Sequence, residues 1–328
     1  MSTVAITLDA CTAGVGAARL PASGPARLAG PTEADQFVRV ETPPAVPLAE
    51  ALALWEREAR RGVCDTGRYR MPYFVWGSGP PLVFIHGLAD MSRAFIPVMA
   101  ALRREFTCVG YDQPAGGPDG ARLGAYRHRH LVADLIALLD HLGMKQAHLF
   151  GSSFGSTIVL AALHAHPGRT LRGVLQGGFA YRPLARWERI LCRFARYWRG
   201  PLGTLPLRAL LDHPTDMRVF HDVPDGFRFH RANSDCLPKS AVARRGLMVL
   251  SVDLRPKLPA IRQPVLMVCG DCDPIVTAAC EGPLLEKLPN VARVELPGCG
   301  HYPQYTHAPL VAEVTRQFLA APACRVEA

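Results

Sequence analysis

Residues 147–155 read Ala-His-Leu-Phe-Gly-Ser-Ser-Phe-Gly, and the interpretation of the whole chain starts from this stretch. Its apolar run is typical of a buried strand, and helical spacing resumes after Gly155. The pattern Gly-x-Ser-x-Gly between them is typical of a sharp strand-to-helix turn that exposes the central serine. Gly151 and Gly155 leave out side chains that would keep the strand and the helix apart. We therefore predict Ser153 as a nucleophile, with Ser152 as the alternative exposed serine.

A carboxylate and a histidine follow further along the chain, each on a loop after a strand-like run. Residues 264–268 are apolar and precede Cys-Gly-Asp-Cys-Asp-Pro, which contains Asp271 and Asp273. A later short strand pattern precedes Pro-Gly-Cys-Gly-His, whose glycines favour a loop position for His301. A serine hydroxyl needs a base to take its proton and a carboxylate to orient that base, so Ser153 is expected to act with His301 and one of these aspartates. We expect ordinary structural or surface roles for His86, His128, His130 and His307.

Residues 82–87, Leu-Val-Phe-Ile-His-Gly, predict a buried strand that ends in a loop beside the serine. Negative charge that develops on a substrate oxygen needs N–H donors, and losing one donor typically costs about a hundredfold in rate. We predict the backbone N–H groups of Leu88 and Phe154 as these donors, an oxyanion hole. His86 is expected to order the loop. The supporting residues of the predicted site are His86, Gly87, Gly151 and Gly155.

With this order of serine, acid and histidine, the chain resembles the α/β-hydrolase superfamily from about residue 70 to about residue 322. The sequences Trp-Gly-Ser-Gly-Pro-Pro at 76–81 and Val-Gly-Tyr-Asp-Gln-Pro at 109–114 also recur in that family. Its pattern Gly-x-x-Asp followed by an apolar residue selects Asp273 over Asp271 as the acid. We expect no cofactor and no metal in such a site.

Composition and periodicity predict an α/β fold. The chain has 328 residues, of which 49% are hydrophobic, enough for one large core and an insertion. Strand-like runs alternate with helical patterns, which predicts a doubly wound, mostly parallel sheet. The alternation then stops for about eighty residues, too many for a simple loop. Because insertions at this point of α/β-hydrolases are usually helical lids, we predict an inserted helical cap over residues 181–250. The predicted strands are 82–86, 106–110, 147–150, 172–176, 264–268 and 292–296.

The remaining segments complete the predicted domain organisation. The hydrolase core comprises residues 71–180 and 251–322, and residues 36–70 form an N-terminal helical extension with a short amphipathic helix over 48–60. Residues 1–35, rich in Ala, Gly and Pro, are predicted to be a disordered leader. They lack the pattern of a secretory signal, and no segment is long enough to span a membrane. Together with ten scattered cysteines, these features indicate the cytoplasm.

Residues 186–199, inside the predicted cap, have a basic amphipathic pattern in which arginines and apolar side chains occupy different helical faces. One interpretation is binding to an anionic membrane surface. The other is a lid helix whose apolar face packs over the pocket while its arginines remain in solvent. We expect the second. The apolar face consists of Trp187, Ile190, Leu191, Phe194 and Trp198.

Charge and cysteine content exclude other classes of protein. A net charge of +9 is modest for this length, and no nucleic-acid-binding module accompanies it. Cys269 and Cys272 make a lone Cys-x-x-Cys without a second pair, so neither a metal site nor a redox site is expected. The expected partner is a small-molecule acyl substrate, and the oligomeric state is left open.

The function expected from these motifs is cleavage of an ester, thioester or lactone by a serine hydrolase through an acyl-enzyme. Alternatives with the same fold are a C–C bond hydrolase, a proline iminopeptidase and an acyltransferase. An alternative from another class is a ligand-binding or signalling protein with little turnover. The serine argues against the dehalogenase and epoxide-hydrolase branches, which resemble this chain in fold but carry aspartate at the turn.

Overall fold

The computed structural model describes residues 3–6, 38–41, 44–206 and 208–321. The strands are β1 (Thr3–Ile6), β2 (Val38–Glu41), β3 (Arg60–Asp65), β4 (Arg70–Trp76), β5 (Pro81–Ile85), β6 (Thr107–Tyr111), β7 (Ala147–Ser152), β8 (Thr170–Gln176), β9 (Val265–Gly270) and β10 (Val291–Leu296). Eight of them form one sheet in the order β10-β9-β8-β7-β5-β6-β4-β3. The first six in this order run parallel, and β4 and β3 are added antiparallel at one edge.

All six predicted strands are present, each within two residues of its predicted ends. The sequence missed β3 and β4. The strand β4 contains Pro72, which cannot donate a ladder hydrogen bond, and Cys64 is the only buried side chain of β3. Neither segment therefore shows regular alternation. Residues 60–65, predicted as part of a helical extension, instead form the edge strand of the sheet.

Helices cover both faces of the sheet. Leu82 and Phe84 of β5 share one core with the helices at 48–58, 96–102 and 308–320. Val83 and Ile85 share the other core with the helices at 128–141, 154–165 and 278–287. Alternate side chains of one strand thus enter two separate cores, which explains why β5 is apolar throughout. The helices are α1 (Leu48–Glu58), α2 (Ile96–Leu102), α3 (His128–His141), α4 (Phe154–Ala165), α5 (Arg186–Ala195), α6 (Pro214–His221), α7 (Pro224–Asp235), α8 (Lys239–Val249), α9 (Ala278–Lys287), α10 (Pro303–Thr306) and α11 (Ala308–Ala320).

Four helices, α5 to α8, lie between β8 and β9 in the chain, where an inserted helical cap was predicted. The helix α5 packs on α8 at Gly246, where an added Cβ would lie 2.6 Å from Cys192 Sγ. This close approach turns Cys192 and Ala195 inward. Most of the predicted apolar face consequently lies in solvent, with 56% of Ile190 and 64% of Phe194 exposed. The expectation that this face packs over the pocket agrees with Trp187 and Leu191, which line it, but was wrong for Ile190, Phe194 and Trp198, because the smaller side chains of α5 fit the glycine on α8.

The N-terminal region is described only in part. The helix α1 lies within the amphipathic segment predicted over 48–60, and it buries Ala51 and Trp55. Within the predicted leader, Thr3–Ile6 pairs antiparallel with β2. The rest of that leader lies outside the described residues, so its disorder stays a prediction, as do the domain boundaries. Among the described residues, no helix is long and apolar enough to cross a membrane.

Candidate active site

Ser153 lies in the turn that joins β7 to α4, with φ +51° and ψ −117°. Among the residues that the structure describes, it is the only one other than glycine with a positive φ. Side chains rarely adopt this conformation, and the strain persists only where the surrounding structure holds it. The Ser153 N–H donates to the Gln176 carbonyl at 2.8 Å, and the Ser156 N–H donates to the Ser153 carbonyl at 2.9 Å. These bonds fix the turn between the end of the sheet and the first turn of α4.

The glycines around Ser153 allow the close approach that the turn requires. An added Cβ on Gly155 would lie 2.2 Å from the Ile85 carbonyl oxygen. One on Gly151 would lie 2.6 Å from the Gly155 carbonyl oxygen. Both distances are too short for any side chain, which agrees with the spacing role predicted for the two glycines. Gly87 lies beside Ser153, where an added Cβ would make an ordinary contact at 3.5 Å.

His301 and Asp273 form a buried pair. Nδ1 of His301 lies 2.7 Å from Oδ2 of Asp273. The other oxygen, Oδ1, accepts the N–H groups of Ile275 at 2.8 Å and Val276 at 2.9 Å. Because these two bonds fix the carboxylate, it can in turn fix the orientation of the imidazole.

The rival carboxylate, Asp271, has a different set of partners. Its oxygens accept the N–H groups of Gly298 at 3.0 Å and Cys299 at 3.1 Å. Asp271 therefore braces the glycine-rich loop that leads to His301 and makes no hydrogen bond to the imidazole within the described part of the chain. The geometry favours Asp273 as the partner of the histidine.

The two members of the pair shift each other's pKa. Burial lowers the pKa of His301, but the charge and hydrogen bond of Asp273 and the charge of Asp216 outweigh it, leaving the pKa above 6.5. Burial raises the pKa of Asp273, but His301 and the two backbone N–H groups bring it below its ordinary value. An ionised carboxylate that holds and polarises a neighbouring imidazole suits a general base.

Asp216, on α6, is a second carboxylate at the histidine that the sequence did not reveal. Its Oδ1 accepts the His301 N–H at 2.7 Å. An added Cβ on Gly300 would lie 2.2 Å from this oxygen, so any larger residue there would displace the carboxylate. Asp216 is 1% exposed, and burial raises its pKa. No motif could have identified it, because it lies in the insertion between β8 and β9, far in sequence from both loops.

Leu88, on the loop after β5, and Phe154, the first residue of α4, line the same cavity as Ser153, and their backbone N–H groups are the predicted donors. Among the described residues, neither N–H has a hydrogen-bond acceptor. Two unpaired backbone donors beside a serine can bind a negatively charged oxygen. The arrangement agrees with the predicted oxyanion hole, whose role stays a prediction.

His86 is buried under this loop and holds it in place. Its Nε2 accepts the Gln113 N–H at 3.0 Å, so Nδ1 carries the proton and donates to the Gly87 carbonyl at 2.9 Å. Burial, reinforced by the charge of Arg245, brings the pKa of His86 well below 6.5. The Arg245 guanidinium, from α8, donates to the Leu88 carbonyl at 3.0 Å. The predicted structural role of His86 agrees with these contacts, whereas the contribution of Arg245 was not foreseen.

Asp90 is a further buried carboxyl group at the cavity that the sequence did not indicate. Its oxygens accept the Tyr305 hydroxyl at 2.7 Å and the Gln304 side-chain amide at 3.3 Å. Burial nevertheless raises the pKa of Asp90 to about 7. This group lies two residues after the predicted donor Leu88 and links the same loop to α10.

The cavity above Ser153 has a volume of about 250 Å³ and is also lined by His301. The insertion contributes Trp187, Leu191 and His230 to its walls. In the described part of the chain, no group of three or more side chains could hold a metal ion. Of the Cys-x-x-Cys pair, Cys269 is buried in β9 and Cys272 is exposed on the next loop. The histidines on α3 and at the start of α11, His128, His130 and His307, do not line the cavity.

Comparison with known proteins agrees with this fold. The model of the alpha/beta hydrolase fold family matches residues 80–308. The chain is 26% identical to 2-(acetamidomethylene)succinate hydrolase of Mesorhizobium japonicum over 78% of this chain and 94% of that protein. It is also 26% identical to 2-hydroxymuconate semialdehyde hydrolase of Pseudomonas putida, over 77% of this chain and 91% of that protein.

A solved structure gives the same result for the fold. A thermophilic esterase from Thermogutta terrifontis superposes with a TM-score of 0.70 at 21% identity, covering 79% of this chain and 98% of that one. The family match covers most of the chain, from the strand before the Leu88 loop to the loop that carries His301. This protein is therefore an enzyme of the α/β-hydrolase fold family.

Proposed function

We propose that this protein is a serine hydrolase that cleaves a carboxylic ester, thioester or lactone through an acyl-enzyme on Ser153. One observation carries the proposal. The strained Ser153 turn, the His301–Asp273 pair and the unpaired N–H groups of Leu88 and Phe154 all meet at one cavity. Each is a separate requirement of serine catalysis, and together they are unexpected for a protein that only binds a ligand.

In the first half of the reaction, Oγ of Ser153 attacks the carbonyl carbon of the substrate while Nε2 of His301 takes the hydroxyl proton. Asp273 keeps the proton on Nδ1 of the neutral imidazole and stabilises the imidazolium that forms. The N–H groups of Leu88 and Phe154 bind the tetrahedral oxyanion. When this intermediate collapses, the bond to the leaving alkoxide or thiolate breaks, and His301 gives the leaving group its proton.

In the second half, a water molecule attacks the acyl-enzyme while His301 again takes a proton. Collapse of the second tetrahedral intermediate releases the carboxylic acid, and the proton returns to Ser153. The site is then restored without a cofactor. We further propose that residues 181–250 act as a lid, because Trp187, Leu191 and His230 line the cavity and would contact the substrate.

A second candidate reaction is hydrolysis of a carbon–carbon bond. It is favoured by the similarity to 2-hydroxymuconate semialdehyde hydrolase. That protein and 2-(acetamidomethylene)succinate hydrolase are each 26% identical to this chain. The same base and oxyanion hole would serve both reactions. Turnover of a vinylogous keto acid without turnover of any ester would favour this candidate over the first.

The test of the proposal is turnover of nitrophenyl esters and thioesters of several acyl lengths by the wild type and two variants. We expect Ser153→Ala to reduce kcat by about 10³-fold or more, since it removes the nucleophile. Ser152→Ala is the matched control, because Ser152 adjoins Ser153 but is buried and accepts the Gln176 side-chain amide at 2.9 Å. It should retain kcat within about tenfold. Equal activity of Ser153→Ala and wild type, or no turnover by wild type, would contradict the proposal.

A further inference from the structure

An apolar surface on α5 and the turn after it has no role in the site described above. Seven large hydrophobic side chains are exposed among the described residues, and five of them belong to this short segment. Exposed apolar side chains that are clustered, rather than scattered, mark an interaction surface. We name this surface the α5 patch, and it consists of Trp187 (58% exposed), Ile190 (56%), Phe194 (64%), Tyr197 (68%) and Trp198 (42%).

The outward orientation of the α5 patch is fixed by contacts on the opposite side of the helix. Cys192 lies against Gly246 of α8. Glu188 accepts the Arg182 guanidinium at 3.0 Å, and Arg182 in turn donates to the Ile275 carbonyl at 3.1 Å. With its inner face held at these points, α5 cannot rotate to bury the patch without losing them.

The exposed charged side chains beside the α5 patch are all positive. Arg186, Arg189, Arg193 and Arg199 are exposed, and within the described residues they form no salt bridge. Arg196 stacks its guanidinium on the Tyr197 ring at 4.6 Å. The one acidic residue of the segment, Glu188, is paired with Arg182 on the inner side. The outer surface of α5 is therefore an apolar stripe flanked by unpaired positive charge.

We propose that the α5 patch docks this protein on the surface of an anionic lipid bilayer. The aromatic side chains would enter the headgroup region while the arginines contact lipid phosphates, as amphipathic interfacial helices do. A second copy of this chain is a poorer partner, because a symmetric contact would bring two arginine rows together. A nucleic acid would use the arginines but would leave the apolar stripe uncovered.

The α5 patch adjoins the cavity above Ser153. Trp187 belongs to the patch and also lines the cavity above Ser153. A bilayer bound to the patch would therefore lie next to the cavity. The docking inference does not rest on the proposed reaction, and its test needs no turnover.

The test is flotation of the full-length protein, carrying Ser153→Ala so that no lipid is hydrolysed, with two kinds of vesicle. One kind is phosphatidylcholine alone, and the other is phosphatidylcholine mixed with phosphatidylglycerol. We expect binding to the anionic vesicles only, weakened by salt. The double changes Trp187→Ser/Phe194→Ser and Arg189→Glu/Arg193→Glu should each reduce the partition coefficient by about tenfold or more. Circular dichroism checks that each variant is folded.

A matched control separates docking by the patch from the effect of overall charge. Arg129→Glu/Arg262→Glu makes the same charge change at exposed positions on α3 and before β9, and it should leave partitioning within about threefold. Tryptophan fluorescence adds a local readout, because Trp55 and Trp76 are buried whereas Trp187 and Trp198 are in the patch. Binding should shift the emission to the blue, and Trp187→Phe/Trp198→Phe should abolish the shift.

Three results would overturn the inference. The first is no flotation with anionic vesicles. The second is an equal loss of binding in the control pair, which would make net charge the cause. The third is a dimer in sedimentation experiments that Trp187→Ser/Phe194→Ser dissociates, together with no flotation, which would assign the patch to self-association.

Discussion

His301 is held by two carboxylates that come from different parts of the chain. Asp273, on the loop after β9, lies 2.7 Å from Nδ1, and Asp216, on α6, accepts the backbone N–H at 2.7 Å. Burial lowers the pKa of the imidazole, and both negative charges act against burial and raise that pKa above 6.5. The protonation of His301 therefore depends on an aspartate outside the predicted triad.

This dependence predicts the pH profile of the reaction. Only the neutral imidazole can take a proton, so kcat/KM for an uncharged ester should rise with pH, with a midpoint above 6.5. Asp216→Asn keeps an oxygen that can accept the His301 N–H but removes a negative charge that stabilises the imidazolium. The pKa of His301 should fall, and the midpoint should move to lower pH. An unchanged or higher midpoint in Asp216→Asn would contradict the electrostatic role of Asp216.

The two candidate acids can be separated by a matched pair of changes. Asp273→Asn should reduce kcat by about 10³- to 10⁴-fold, because an amide no longer stabilises the correct imidazole tautomer or the imidazolium. Asp271→Asn should cost no more than about tenfold, since Asp271 braces the loop through Gly298 and Cys299. The measurement is kcat of both variants on one ester. A larger loss for Asp271→Asn would reverse the assignment.

At the scale of elements, the helix α4 meets the ends of two strands through glycine. Gly155→Ala would place a Cβ 2.2 Å from the Ile85 carbonyl oxygen, and that oxygen belongs to backbone that cannot move aside cheaply. We expect a loss of about 3 kcal/mol or more in the free energy of unfolding, or no folded protein. Urea unfolding of the wild type and the variant measures this loss.

The control for this change is a turn glycine that has free space around it. An added Cβ on Gly168, between α4 and β8, meets no atom within 4 Å and its φ is not positive, so Gly168→Ala should raise the free energy of unfolding by about 0.5–1 kcal/mol. Opposite signs for the two changes are the expected outcome. A Gly155→Ala protein as stable as the wild type would show that the turn relaxes, and the close-packing account would then fail.

The elements that the sequence predicted well are the six parallel strands, each of which was predicted within two residues of its ends. Every one of them buries at least three side chains. The strand β3 was missed because only one of its residues is buried, and β4 was missed because Pro72 interrupts its pattern. The orientation of α5 was missed for another reason. Its periodicity shows which side chains share a face, but only the contact at Gly246 decides which face is buried.

At the scale of the whole molecule, the candidate site lies where the sheet and the insertion meet. Ser153, His301 and Asp273 could be predicted because each belongs to a local pattern at the end of a strand. Asp216 and Arg245 could not, because they act from α6 and α8 on loops that are distant in sequence. Contacts of this kind depend on how the insertion folds back on the sheet, and no pattern of one segment specifies that.

The central claim is that Ser153 is the nucleophile of this enzyme, and covalent labelling tests it most directly. Wild type, Ser153→Ala and Ser152→Ala would be treated with a fluorophosphonate, and the modified peptide would be identified by mass spectrometry. We predict one label per chain on Ser153 in the wild type, the same label in Ser152→Ala, and none in Ser153→Ala. A wild type that remains unlabelled, or a label that persists in Ser153→Ala, would contradict the account.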